Sequence, residues 1–409
     1  MIYLLSFFIF ITTNLFALAV SDGIDEVYKE INVISSIRKH KVFKIKSQNI
    51  RIGEHGYTWG RPAEQSVILD LLNLKSLDLN ILEQEPVAEL WLASDDSTYP
   101  SFVQLQDGTS ISLEKFLEKY GKEVLGEQHC SIYGPCLAVI MKFLDAGESL
   151  SVQVHPAMDH PTRPAKPEMW LVEEGVESKL YLGFNRDVSE KELRKAYADS
   201  SFEGLLQEVN PKSGELILVD GGMIHAIRAG SAIWEWSHAP TDKEKKKGDL
   251  KKATVSPWDR TDGKKPRSNK EDIDGTIEVL EDAKKRLGVP VYDKIDLDKI
   301  YSKKVCMFVD KEGNKIDRLF ETEHVVVEKM EIVSQLSLDT KGHGFPIFIK
   351  QGSVKVQTKQ GELIAVLNQN ECAIIPAYLG EYEMINQSEA SVEIFKWYAP
   401  LNNGVEVAA

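Results

Sequence analysis

Four residues in the central part of the chain have the types and spacing of a metal site. Gln153 and His155 are two positions apart, so on a β-strand their side chains project from the same face. Glu168 precedes an apolar run that predicts a strand, and His225 follows the apolar residues 216–219. One amide oxygen, two imidazoles and one carboxylate suit Zn²⁺ and also accept Mn²⁺, Fe²⁺ or Co²⁺. Such an ion polarises a substrate oxygen when one coordination position stays open.

The spacing around these residues resembles the two motifs of the jelly-roll cupins. In the first motif, Gln153 stands at the place of the first histidine, and the gap from His155 to Glu168 is longer than usual. In the second motif, Asp220 stands at the place of a proline, and His225 stands at the place of the final histidine. Because Gln153 interrupts the all-histidine iron face, a cupin dioxygenase is the least favoured alternative.

The same part of the chain resembles the type I mannose-6-phosphate isomerases, also called phosphomannose isomerases. Glutamine in place of the first cupin histidine is a mark of that family, and residues 150–156, 166–168 and 222–227 are similar to its signature segments. Weaker similarity extends from about residue 40 to residue 400. The resemblance implies a second, metal-free cupin domain at the C-terminus. It also implies one Zn²⁺ per chain, held by Gln153, His155, Glu168 and His225.

The resemblance implies the interconversion of mannose 6-phosphate and fructose 6-phosphate through a cis-enediol. A proton leaves C2 and arrives at C1, so the site needs a base and a group that stabilises the enediolate charge. The catalytic candidates are Glu235, Lys166 and Arg260, and the substrate-binding candidates are Lys142 and Ser151. Structural alternatives stay open: Glu235 as an outward-facing strand residue, Lys166 as a surface lysine, and Arg260 as an ion-pair partner.

One segment departs from the family pattern in a way that bears on activity. The first arginine of the family's segment falls on Thr254 in this chain. Arg260, Arg228 or a lysine within residues 244–252 would then have to supply the positive charge. Two alternative functions therefore stay open, an isomerase of another sugar phosphate and a sugar-binding cupin without catalysis.

Short apolar runs between turn residues dominate the chain and predict a mainly β protein. Helical periodicity occurs at residues 113–125, 189–209 and 271–286, and a short helical lead-in is predicted at residues 21–40. We expect two cupin (jelly-roll β-barrel) domains with helical insertions. The predicted parts are an apolar leader at 1–20, a catalytic zinc-binding cupin domain at 41–270 with a helical insertion near 189–210, a helical connector at 271–299 and a metal-free cupin domain at 300–400.

The composition restricts the partners. The 409 residues include 63 acidic and 49 basic side chains, and the net charge of −14 argues against nucleic acid. The resemblance, and not the composition, implies a phosphorylated hexose as the partner and a pathway that supplies GDP-mannose. Four cysteines are too few for a disulfide framework and predict isolated thiols. The charge run at residues 241–252 predicts a solvated loop.

The uncharged leader at residues 1–20 bears on the location of the protein. Its apolar pattern is typical of a secretory signal peptide or a short anchor, and a start codon assigned too early is the alternative. The resemblance favours the cytoplasm, because sugar phosphates are cytosolic metabolites. We expect no integral membrane role. The sequence does not determine the oligomeric state, and a monomer is favoured.

Overall fold

The structure is a computed structural model in which most residues between 42 and 401 are described. These are residues 42–46, 49–52, 57–73, 86–105, 108–241, 244, 253–258, 270–288 and 290–401. They are mainly β, as the sequence predicts. The leader at residues 1–20, the helical lead-in predicted at residues 21–40 and the candidate Arg260 lie outside the described residues. Among the described helices, none combines the length and the apolar character that a membrane crossing requires.

The described helices are short, and most lie in the first two thirds of the chain. The α-helices are α1 (Val67–Leu71), α2 (Leu113–Leu125), α3 (Glu127–Tyr133), α4 (Glu190–Ala198) and α5 (Lys270–Leu287). Single 3-10 turns occur at Ala63–Gln65, Phe202–Leu205, Leu297–Lys299 and Ala377–Leu379. The helices predicted at residues 113–125 and 271–286 are confirmed by α2 and α5. The four cysteines are free thiols, as expected.

The described strands fall into two groups along the chain. The first group is β1 (Phe43–Lys46), β2 (Asn49–Ile52), β3 (Val87–Leu92), β4 (Phe102–Gln104), β5 (Ser110–Ser112), β6 (Val139–Asp145), β7 (Val152–Val154), β8 (Glu168–Val172), β9 (Leu180–Phe184), β10 (Leu206–Val209), β11 (Leu216–Val219), β12 (His225–Ile227), β13 (Ala232–His238), β14 (Val255–Trp258) and β15 (Tyr301–Ser302). The second group is β16 (Val305–Val309), β17 (Lys315–Glu321), β18 (Val326–Ile332), β19 (Gln335–Asp339), β20 (Phe345–Gln351), β21 (Ser353–Gln357), β22 (Leu363–Asn368), β23 (Cys372–Ile375), β24 (Glu381–Asn386) and β25 (Val392–Tyr398).

Two antiparallel sheets enclose the predicted metal site. One has seven strands in the order β15-β11-β8-β13-β6-β3-β2, and the other has five in the order β10-β9-β12-β7-β14. A buried apolar cluster joins their inner faces and includes Trp170 of β8, Leu182 of β9 and Ile233 of β13. The sheets therefore pack face to face. Apolar side chains two positions from the polar site residues share their face and fill the space between the sheets.

Helices α4 and α5 cover the outer face of the five-stranded sheet. Leu193 of α4 and Leu280 of α5 share a buried cluster with Val154 of β7. The capping box predicted at Ser189 is present and opens α4. The prediction that this helix continues to residue 209 is wrong, because β10 follows and pairs with β9. A short apolar run is compatible with either a buried strand or a helix. For residues 206–209, the pairing with β9 determines that a strand forms.

The strands after residue 303 form two further sheets. A nine-stranded sheet has the order β16-β17-β18-β25-β20-β23-β1-β4-β5, and a four-stranded sheet has the order β19-β24-β21-β22. The turn predicted at residues 359–362 is confirmed, because it connects the paired strands β21 and β22. Strands β1, β4 and β5 come from the beginning of the chain, so sheet membership does not follow chain order.

An aromatic seam connects the seven-stranded and nine-stranded sheets. The ring of Trp234 lies 5.7 Å from Phe348 and 5.4 Å from Phe395, measured between centroids. Trp236 lies 5.2 Å from Phe395. Both tryptophans are fully buried. Because side chains alternate along β13, its other face points between the seven- and five-stranded sheets, where the predicted metal ligands lie.

Candidate metal centre

Three of the four predicted ligands meet between the two sheets. Ligand atoms of His155, Glu168 and His225 all lie within 4.8 Å of one another, and all three residues are buried. The Nε2 atom of His155 is 3.2 Å from Glu168 Oε1, and the Nε2 atom of His225 is 3.6 Å from Glu168 Oε2. Glu168 opens β8 of the seven-stranded sheet, whereas His225 opens β12 of the five-stranded sheet. The two walls of the site thus contribute different ligands.

Backbone carbonyls fix the orientation of both imidazoles. His155 Nδ1 lies 2.9 Å from the carbonyl oxygen of Ala253, and His225 Nδ1 lies 2.9 Å from that of Met223. A carbonyl only accepts, so each Nδ1 carries the proton and each Nε2 presents a lone pair to the site. The Nε2 atom of His155 is buried without a hydrogen-bond partner among the described residues. Such an unpaired acceptor costs free energy, and a divalent cation would satisfy it.

The fourth predicted ligand, Gln153, lies on the strand next to His225. The two residues are directly paired between β7 and β12. The amide nitrogen of Gln153 donates to the hydroxyl of Ser151 at 3.0 Å. In this arrangement the amide oxygen of Gln153 is the remaining acceptor, which is the atom that a metal would use. Ser151, a predicted substrate contact, therefore lies beside a predicted ligand.

The electrostatics of the cluster favour the protonation states that a metal requires. Burial lowers the pKa of His225 to about 4, so its imidazole is neutral at neutral pH. Burial alone would oppose ionisation of Glu168, but the nearby Lys166 outweighs it and holds the pKa of Glu168 well below its usual range. A neutral imidazole and an ionised carboxylate are the ligand forms of these side chains.

A row of charged side chains continues from the ligands across the inner face of the seven-stranded sheet. The Nζ atom of Lys166 lies 2.5 Å from Glu168 Oε1 and 3.9 Å from Glu235 Oε1. On the other side, the Nζ atom of Lys142 lies 3.6 Å from the same Glu235 oxygen. Burial lowers the pKa of Lys166, but Glu168 and Glu235 outweigh it and raise that pKa overall. The structure thus brings these three predicted residues together beside the ligand cluster.

The structural alternative for Glu235, an outward-facing strand residue, is wrong. Glu235 is 4% exposed and faces the interior, because the neighbouring tryptophans occupy the opposite face of β13. Its Oε1 atom is buried and accepts no hydrogen bond from the described residues. The side chain of Lys166 is partly exposed, and its ammonium group lies within 4 Å of two buried carboxylates. Both side chains are therefore oriented toward the space next to the metal ligands.

Glu89 and Trp91 extend this row and were not assigned a role from the sequence. Glu89 is 8% exposed on β3, and Trp91 Nε1 donates to its carboxylate. The Nζ atom of Lys142 lies 4.3 Å from the centroid of the Trp91 ring. Burial raises the pKa of Glu89, although Lys142 opposes the shift. A glutamate inside an otherwise apolar strand is the sequence signal that would have indicated a site residue.

The structure describes three of the residues that bear on the missing family arginine. The hydroxyl of Thr254 lies 3.3 Å from His155 Nδ1, behind the imidazole. Arg228 forms an ion pair with Glu208, and its Cζ atom lies 4.6 Å from the centroid of the Tyr181 ring. The charge of Arg228 is therefore neutralised by a residue outside the ligand cluster. The prediction of a fully solvated loop at residues 241–252 is wrong at Glu244, which is buried because it accepts hydrogen bonds from neighbouring residues.

Paired antiparallel sheets that hold two histidines and a carboxylate between them define a cupin-type protein with a candidate metal centre. Within this class, residues 47–171 match the family model described as phosphomannose isomerase type I, catalytic domain. The resemblance to the type I phosphomannose isomerases is therefore confirmed. The matched range contains three of the four predicted ligands, Gln153, His155 and Glu168.

Individual relatives agree with this family match. The mannose-6-phosphate isomerase of Streptococcus mutans is 28% identical over 158 residues, which are 38% of this chain and 48% of that protein. The chain thus spans about half the length of this curated relative. The solved mannose 6-phosphate isomerase of Bacillus subtilis has a TM-score of 0.64 at 18% identity, covering 87% of this chain and 99% of that one. A zinc-bound mannose 6-phosphate isomerase has a TM-score of 0.61 at 15% identity, covering 88% and 99%. The two structural matches show the fold.

Proposed function

We propose that this chain is a zinc-dependent aldose–ketose isomerase that interconverts mannose 6-phosphate and fructose 6-phosphate through a cis-enediol. The observation that carries the proposal is the position of Glu235. Its buried carboxylate lies between the ammonium groups of Lys142 and Lys166, on the sheet that also contributes Glu168. The family match and the names of the relatives support the choice of substrate.

Gln153, His155, Glu168 and His225 would hold one zinc ion per chain. The unpaired Nε2 atom of His155 and the mixed nitrogen and oxygen donors support this assignment. A structural neighbour described as zinc bound supports the choice of metal. The chemistry that zinc supplies when bound is Lewis-acid polarisation of a sugar oxygen.

Glu235 is the proposed base for the carbon-bound proton. Its carboxylate would take the proton from C2 of the aldose and return it to C1, while the hydroxyl proton moves from O2 to O1. The two transfers together convert the aldose to the ketose through the enediol. Its Oε1 atom accepts no hydrogen bond from the described residues and is therefore available to a substrate proton. A strand position buried on both sides of the sheet holds this atom in a fixed place.

Lys166 and Lys142 are proposed to stabilise the negative charge that develops on the sugar oxygens. Two ammonium groups within 4 Å of Glu235 put positive charge next to the place where the proton leaves. In a site from which water is largely excluded, such charges act more strongly than in water. Lys166 would contact the sugar oxygens, and Lys142 and Ser151 would bind the substrate. Arg260 remains a candidate for the phosphate or the enediolate.

The same proposal includes an oligomeric state, a cellular location, a metabolic role and a division into domains. A monomeric, cytoplasmic enzyme of carbohydrate metabolism that supplies mannose 6-phosphate for GDP-mannose is consistent with the resemblance. The two cupin domains, at residues 41–270 and 300–400, are part of this proposal. Sequencing the N-terminus of the protein from its natural source would establish whether residues 1–20 are retained, and a cleaved leader would contradict the cytoplasmic assignment.

A sugar-binding cupin without catalysis is the second candidate function. The observation that favours it is Thr254, whose uncharged side chain contacts His155 at the position where the resemblance implies an arginine. Purified protein should be incubated with mannose 6-phosphate, glucose 6-phosphate, ribose 5-phosphate and arabinose 5-phosphate, and each ketose product should be quantified. Conversion of mannose 6-phosphate above the other three supports the proposal. Preferred conversion of another sugar, or saturable binding without conversion, contradicts it.

A further inference from the structure

His238 and Glu244 form a buried pair at the end of β13. Their side chains are 1% and 8% exposed, and the Nε2 atom of His238 donates to Glu244 Oε2 at 2.8 Å. The same oxygen accepts from the backbone nitrogen of Thr241 at 3.0 Å and from its hydroxyl at 2.9 Å. Glu244 therefore has three donors on one oxygen, two from Thr241 and one from the last residue of β13.

The backbone around His238 is connected directly to the segment that carries Lys166 and Glu168. The His238 nitrogen donates to the carbonyl oxygen of Pro167 at 3.1 Å. The preceding residue, Ser237, is directly paired with Glu168 between β13 and β8. The Pro167 carbonyl belongs to the peptide bond that leads into Glu168. The end of β13 thus fixes the backbone from which the carboxylate ligand projects.

Glu244 is buried although its sequence neighbours could neutralise its charge at the surface. Residues 243 and 245–247 are all lysine, so an exposed Glu244 would find counter-charges at the surface. Burying a carboxylate is costly unless hydrogen bonds and a nearby positive group compensate. Burial alone would raise the pKa of Glu244, but its contacts with His238 outweigh it and bring that pKa to about 2.

The far side of His238 is also packed. Its ring lies 5.9 Å from the ring of His324, in the loop between β17 and β18. Its Nδ1 atom is buried and has no hydrogen-bond partner among the described residues. Glu244 is therefore the only group among the described residues that hydrogen-bonds the His238 ring. Removal of the Glu244 carboxylate would free the ring and, with it, the end of β13.

We propose that the His238–Glu244 pair is a positioning element of the metal centre, which holds the Pro167 peptide and so the carboxylate of Glu168 in place. Neither His238 nor Glu244 belongs to the ligand cluster, so the pair acts through the 166–168 segment. The inference rests on the proposed metal site and does not depend on the proposed reaction.

The test is the zinc affinity of variants, measured by competition with a chelator of known affinity. Glu244→Ala removes the acceptor, and His238→Phe keeps a ring of similar size but removes the donor. We expect each to bind zinc about 10- to 100-fold more weakly than the unaltered chain, as found for residues that orient metal ligands. Glu244→Gln keeps an acceptor oxygen and should recover most of the affinity. If Glu244→Ala does not fold, the zinc affinity of His238→Phe tests the proposal by itself.

A matched control separates positioning from general destabilisation. Glu328→Gln removes a buried carboxylate that pairs with Arg318 at 2.7 Å and Lys396 at 2.9 Å, far along the chain from the metal ligands. It should lower the free energy of unfolding and leave zinc affinity unchanged. Unchanged affinity in both Glu244→Ala and His238→Phe, or an equal loss in Glu328→Gln, would overturn the proposal. Because the readout is binding, absence of isomerase activity leaves the test valid.

Discussion

The Nζ atom of Lys142 lies 3.6 Å from Oε1 of Glu235, and the two residues are directly paired on neighbouring strands β6 and β13. Their contact depends on the alternation of side chains along β13. Trp234 and Trp236 face the nine-stranded sheet, whereas Glu235 faces the metal ligands. One strand therefore contributes both to the seam between the larger sheets and to the charged row of the site.

Glu235→Gln tests the proposed base. The substitution keeps the size of the side chain but removes its ability to take a proton, so kcat for mannose 6-phosphate should fall about 10²- to 10⁴-fold. Zinc content should stay the same, because Glu235 is not a predicted ligand. The matched control is Glu177→Gln, which removes an exposed carboxylate and should keep full activity. Activity of Glu235→Gln within twofold of the control would exclude Glu235 as the base.

Single substitutions of the ligands test the metal centre. Gln153→Ala, His155→Ala, Glu168→Ala and His225→Ala each remove one donor and should lower the zinc content of the purified chain, measured by elemental analysis. His160→Ala is the control, because His160 is equally buried but lies outside the ligand cluster. Full zinc content in any two of the four variants would show that the ligand set is wrong.

Glu328→Gln should destabilise the nine-stranded sheet. Glu328 neutralises the buried Arg318 and the partly buried Lys396, and loss of its charge leaves both without their main partner. The free energy of unfolding, measured by urea denaturation, should fall by about 3–5 kcal/mol. Glu321→Gln removes an exposed partner of Arg318 and should cost only about 0–1 kcal/mol. An equal loss of unfolding free energy in the two variants would contradict the expectation that the buried carboxylate contributes more than the exposed one.

The buried His343 predicts a dependence of stability on pH. Burial and the nearby His129 lower the pKa of His343 to about 3, whereas in the unfolded chain it has the ordinary value of 6.5. Between these values the unfolded state binds a proton that the folded state does not. Stability should therefore rise with pH from 4 to 6.5 by up to about 1.4 kcal/mol per pH unit for this one proton.

His343→Asn isolates that contribution. The variant has no titratable group at this position, so the slope of unfolding free energy against pH should be smaller than in the unaltered chain. Lys396, Tyr398 and His129 face the same ring and are unchanged in the variant. Identical slopes between pH 4 and 6.5 would show that His343 is protonated in the folded state.

Much of the candidate site could be predicted because its signals are local. Gln153 and His155 share a face through the strand period of two, and Glu168 begins an apolar run. Helix α2 has the predicted bounds, because Ser112 caps its start and Gly126 follows its end. In each of these cases, neighbouring residues determine the outcome.

Other features could not be predicted because they depend on distant pairing. Residues 206–209 form β10 only because β9 is next to them. Glu89 becomes part of the charged row because β3 pairs with β6, and Phe43 in β1 joins the C-terminal sheet through β23. Sequence periodicity carries no information about which strands become neighbours.

Zinc-dependent isomerisation is tested most directly by the conversion of mannose 6-phosphate to fructose 6-phosphate by the purified chain, first stripped of metal and then supplied with zinc. We expect no conversion by the stripped protein and full recovery at one equivalent of zinc per chain. Conversion that does not depend on zinc, or no conversion by the fully zinc-loaded protein, would contradict it.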